Sequence, residues 1–111
     1  MESKLLNNIK TLLGSEITPL ELNDEIIKEL YLEAEQEFDF YSEISNKGLR
    51  LLDRIKEVWI KKYTIALCKE LISEIRGKFV VRDTKTHVFA EQLNHAARED
   101  KRALREILII K

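Results

Sequence analysis

From Leu51 to Ile75 the apolar residues Leu51, Leu52, Ile55, Val58, Trp59, Tyr63, Ala66, Leu67, Leu71, Ile72 and Ile75 recur at spacings of three and four. A strand needs a period of two, so a pattern held over about six turns predicts a helix, here 49–76. The stripe is wide, which places this helix centrally, touched on more than one side. Three glycines and one proline in 111 residues leave little material for tight turns. The expected fold class is therefore all-α: a small bundle of about four helices in a single domain over 1–111, with one long central helix.

The flanking segments supply the other elements. Leu5, Leu6, Ile9, Leu12 and Leu13 form a stripe on a short helix over 2–13, which Gly14 stops. Thr18-Pro19-Leu20-Glu21 has the form of a capping box with proline at the first helical position, and Asn23-Asp24 offers a second N-cap. Ile26, Ile27, Leu30, Tyr31, Ala34, Phe38 and Tyr41 then predict a helix over 24–42. Its opposite face is a carboxylate ladder, Glu25, Glu29, Glu33 and Glu37, with Glu35 and Asp39 beside it. Ser42 to Gly48 reads as a connection. Gly77 reads as the stop of the long helix, with the cations Arg76 and Lys78 at its C-terminal end. Phe79-Val80-Val81 predicts a short extended segment near 79–83, either an edge strand or a plain connection. Thr86 can cap a last helix running to about Leu108.

Composition removes several function classes. One cysteine, Cys68, excludes an internal disulfide framework and a cysteine-rich zinc module. No apolar run approaches the roughly 18 residues of a membrane span, and the first residues have no signal-peptide core. A formal charge of −1 hides a steep split. Up to Asn46 three lysines face eleven acids, a net of −8; the remainder carries +7. Three arrangements satisfy such a split: the halves neutralise each other inside one chain, the acidic face of one copy meets the basic face of the next, or the basic half meets a polyanion such as DNA.

The residues for catalysis are sparse. His87 and His95 are the only histidines, and neither stands in a Glu-x-x-His pair. Glu91 and His95, four apart, read as a surface helix pair rather than two metal ligands. The carboxylate ladder lacks the histidine partners of a di-metal bundle, and Arg76-Gly77-Lys78 lacks a phosphate-loop frame. Cys68, beside Leu67, reads as a packing residue. No cofactor, metal site or enzymatic activity is expected. The cations of the second half are interrupted by acids, which disfavours a dedicated DNA reader. A small DNA-binding or DNA-packaging-associated protein using that basic half is the alternative.

The order of parts resembles the head–tail connector (adaptor, or neck) proteins of tailed bacteriophages. The resemblance is loose over 3–108 and closest over 59–79. It is carried by Trp59 and then Tyr63-x-x-Ala66-Leu67-x-Lys69-Glu70, closing in Arg76-Gly77-Lys78-Phe79. The segment Leu22 to Ile27 and the ending Leu104-Arg105-Glu106-Ile107-Leu108 are also similar. The resemblance implies a non-catalytic virion protein of the neck, assembling, typically as twelve copies, into a ring under the portal. That ring extends the DNA channel and docks the next neck or tail component, and DNA passes without specific binding. On this expectation Glu29, Glu33 and Glu37 meet Arg98, Arg102 and Arg105 of a neighbour. The all-apolar end Ile107, Leu108, Ile109 and Ile110 docks onto the portal or an adjacent subunit, or else onto the chain's own bundle.

Overall fold

A computed structural model describes residues 2–14, 19, 21–79 and 84–109, with the backbone alone at 78–79 and 84–89. Four helices account for nearly all of it: α1 (Ser3–Leu13), α2 (Asp24–Glu43), α3 (Leu49–Phe79) and α4 (Thr84–Ile109). The all-α expectation holds, and α3, at 31 residues, is the long central element.

Local chemistry explains the ends of the first two helices. Gly14, just past α1, takes φ 92°, a conformation that penalises any Cβ. Asn23 opens α2, its side-chain oxygen accepting from the Ile26 backbone N–H at 2.9 Å, while Asp24 and Glu25 complement the helix dipole. The second of the two candidate N-caps is thus the one used. The Thr18-Pro19 capping box falls largely outside the described residues.

Two boundaries differ from the sequence reading. Gly77 does not stop α3: the helix runs through it to Phe79. A Cβ placed at Gly77 would meet nothing within 4 Å, so no close approach demands glycine there. Phe79 is therefore helical rather than extended, and Val80 to Asp83 lie outside the described residues. The last helix begins at Thr84, two residues before the predicted cap at Thr86.

The helices form a slab of 50 × 30 × 17 Å with α3 as its spine. Helices α3 and α4 run antiparallel. Trp59 donates its indole N–H to the Leu104 carbonyl at 2.7 Å, and further along Ser73 donates to the Ala90 carbonyl at 2.6 Å. Apolar packing falls into two clusters along the spine. One joins Ala34 and Phe38 of α2, Trp59, Tyr63 and Leu67 of α3, and Leu104 and Leu108 of α4. The other joins Leu6 and Ile9 of α1, Leu22, Ile27 of α2, and Cys68 and Ile72 of α3. Trp59 stacks on Tyr63 at 4.8 Å between centroids and takes the edge of Phe38 at 5.3 Å, geometries that aromatic quadrupoles favour.

Candidate functional site

Helix α2 turns its acids outward because its apolar period turns them that way. Ala34 and Phe38 are buried against α3. Leu32 and Phe40 each stand two residues from one of these, about 200° around the helix. The outward face of α2 consequently holds Glu25, Glu29 and Glu33 together with exposed Leu32, Phe40 (58% exposed) and, just past the helix, Ile44. Glu25 has Lys28 at 3.7 Å. Among the described residues no ion pair engages Glu29 or Glu33.

Glu37, the last rung of the ladder, behaves differently. It is half-buried and turned toward the α4 side, where its charge acts on both Tyr63 and Arg105. Arg105 donates to the Tyr63 hydroxyl at 2.8 Å and lies 5.6 Å from the Tyr41 ring centre and 5.8 Å from that of Tyr63. Burial works against the guanidinium charge, and Tyr63, Tyr41 and Glu37 outweigh it, holding its pKa above the ordinary arginine value. For Tyr63 burial dominates over the Arg105 hydrogen bond, and the phenol is pushed up. Arg105 is thus occupied by Tyr63 within its own chain, and Glu37 lies close enough for its charge to act on both.

The other two arginines expected at a subunit contact divide. Arg102 is exposed but held by Glu99 at 2.6 Å and Glu106 at 4.0 Å on its own helix. Arg98 is exposed, with no ion pair among the described residues.

The connector-like run 59–79 is mostly architecture. Trp59, Tyr63 and Ala66 are core, Lys69 is half-buried, and Gly77 is an exposed helical residue. Arg76 grips Glu21 bidentately, at 2.8 and 2.9 Å, fastening the segment before α2 to the end of α3. The side chains of Lys78 and Phe79 lie outside the described residues. At the chain end Leu108 is fully buried in the chain's own core, the second of the two fates expected for the apolar end. Ile107 (49% exposed) and Ile109 remain outward, and Ile110 lies outside the described residues.

A second charged face was not read from the sequence. Lys56 of α3 faces α2, with Asp39 at 4.0 Å and the Phe38 ring centre at 5.8 Å. Val58, two residues on, is about 200° around α3 from that contact. Leu51, Arg54, Val58, Lys62 and half-buried Ile65 and Lys61 share this side, and Lys69 extends it. Among the described residues no ion pair engages Arg54, Lys61, Lys62 or Lys69. Ile65 and Lys62 border a groove whose α4 side is Asp100, Ala103 and Ile107.

Among the described residues no three of His, Cys, Asp and Glu gather for a metal ion. His95 is exposed, and the side chain of His87 lies outside the described residues. Cys68 is sealed in the core, where burial pushes its thiol up to about 12, far from a reactive thiolate. No described helix is long and apolar enough to cross a membrane. No family model matches the chain, and no curated protein and no solved structure is significantly similar to it.

Proposed function

We propose that the chain is a virion structural protein, a head–tail connector subunit that oligomerises into a ring under the portal of a tailed phage. In this role it extends the DNA channel and presents a surface to the next neck or tail component. The observation that supports the reading is the outward face of α2. A helix that is buried on one side leaves Leu32, Phe40 and Ile44 in water beside Glu29 and Glu33, which no ion pair engages among the described residues. An apolar patch rimmed by one sign of charge is what a protein partner covers, and the opposite half of the molecule carries the opposite sign.

The resemblance over 59–79 adds the specific setting. Within that run Trp59 and Tyr63 pack α3 against α2 and α4, and Arg76 ties it to the segment before α2. The experiment is reconstitution with a portal protein from the genome that encodes the chain, imaged by negative-stain microscopy. A ring of added density beneath the portal is the expected result. A chain that leaves the portal unaltered, and instead binds duplex DNA with an affinity falling by decades as salt rises, would establish the DNA-binding alternative.

A further inference from the structure

We infer that copies of this chain associate head to tail, the outward face of α2 in one copy lying antiparallel across the outward face of α3 in the next. This rests on the assembly reading above and names the surface that completes it. Three observations carry it.

The first is length. Glu25 to Ile44 and Leu51 to Lys69 each span about 27–29 Å at helical rise, so the two strips match end to end. The second is the order of chemistry along them. Helix α2 carries Glu25, Glu29 and Glu33 with Leu32 over its first half, and Phe40 and Ile44 with Glu43 at its end. The α3 strip begins with apolar Leu51 and Val58 around Arg54, and continues with Lys61, Lys62 and Lys69. Laid antiparallel, Ile44 and Phe40 meet Leu51 and Val58 and Glu43 meets Arg54, while Glu33, Glu29 and Glu25 meet Lys61, Lys62 and Lys69. A parallel arrangement sets acids on leucine and valine and leaves the lysines on phenylalanine.

The third is direction. Each strip faces away from the α2–α3 contact, one on each side of it, so one copy cannot satisfy its own faces. The contact is heterologous and repeats from copy to copy. Neighbours related by a rotation about an axis along the helices have α2 of one antiparallel to α3 of the next, which is the polarity the chemistry asks for. The apolar residues interleaved among the cations favour a helix over a nucleic acid as occupant, and Asp100 at the rim of the strip repels a phosphate backbone.

Two variants test it: Glu29→Lys with Glu33→Lys, and Lys61→Glu with Lys62→Glu. Sedimentation velocity of the full chain over a concentration series is the measurement, with circular dichroism establishing that each variant is folded. Wild type associates as concentration rises, each variant alone does so more weakly by on the order of tenfold or more, and an equimolar mixture regains association. Recovery on mixing is the signature, because a role confined to one chain cannot be rescued by another. A wild-type chain that stays monomeric up to millimolar concentration overturns the inference. So does association that neither variant weakens, although rings on the portal would then leave the connector reading standing. Salt-sensitive binding of duplex DNA lost in the Lys61/Lys62 variant assigns the strip to DNA and also overturns it.

Discussion

Arg105 and Tyr63, 42 residues apart, meet in the interior face between α3 and α4, the guanidinium donating to the phenol at 2.8 Å. Tyr63 is 1% exposed. Replacing Arg105 with alanine strands that hydroxyl and removes the cation over two rings. The expected loss is about 1–3 kcal/mol of monomer stability. Tyr63→Phe costs less, about 0.5–1.5 kcal/mol, and the double variant less than the sum. Urea unfolding followed by the emission of Trp59 measures all three. Unchanged midpoints for Arg105→Ala would return this arginine to the surface role suggested by its position in sequence.

Leu108 and Ile107 are adjacent but have opposite fates. Leu108→Ala opens a cavity in the cluster around Trp59 and Leu104, at about 2–5 kcal/mol. Ile107→Ala, at a half-exposed position, shifts stability by about 0.5 kcal/mol or less. The same unfolding assay separates them. If Ile107 instead weakens portal binding without moving the midpoint, it belongs to the docking surface.

The alkaline limb of stability should carry the mark of Cys68. In the unfolded chain its thiol ionises near the ordinary value of 9.0, and in the folded chain only near 12. Burial favours the proton, so the folded state binds more protons than the unfolded one between those values. Stability is therefore intact below pH 9 and declines as pH rises toward 12, by about 1 kcal/mol from this group at pH 10. Cys68→Ala should flatten that part of the decline. Melts of both proteins between pH 8 and pH 11, compared as a difference, isolate the thiol from the tyrosines and lysines. Parallel curves would count against the burial argument.

Gly77→Ala is expected to stabilise. The position is helical, and an added Cβ meets nothing within 4 Å. The gain is about 0.5–1 kcal/mol from helix propensity and a less flexible unfolded chain. Gly14→Ala should do the reverse, since φ 92° suits no side chain. Thermal melts of the pair decide whether the glycine of the Arg-Gly-Lys-Phe run has a structural need behind it.

These contrasts explain what could be read from sequence. Helices α1 to α4 were legible because each keeps its apolar period, and α2 also signals its start at Asn23. Gly77 misled because a glycine after an apolar run terminates a helix only when it takes a positive φ. Among the described residues Gly14 alone does so. The role of Arg105 was hidden because its partner is distant in sequence, and nothing local marks a cation over a tyrosine. The cation strip of α3 was hidden by counting. Glu57, Glu70 and Glu74 interrupt the lysines along the chain, yet the helix carries them to other faces. Glu70, for example, pairs with Lys101 of α4 at 2.9 Å.

The division of the core into two clusters has a kinetic consequence. Helix α1 belongs to one cluster only, and the aromatic cluster around Trp59 is complete without it. The lighter attachment of α1 predicts that this helix detaches at a lower free energy than the rest of the fold. Its departure uncovers Cys68, the wall it packs against through the same cluster. A thiol-labelling rate on the folded chain then clocks the detachment of its first eleven helical residues, while Trp59 stays silent.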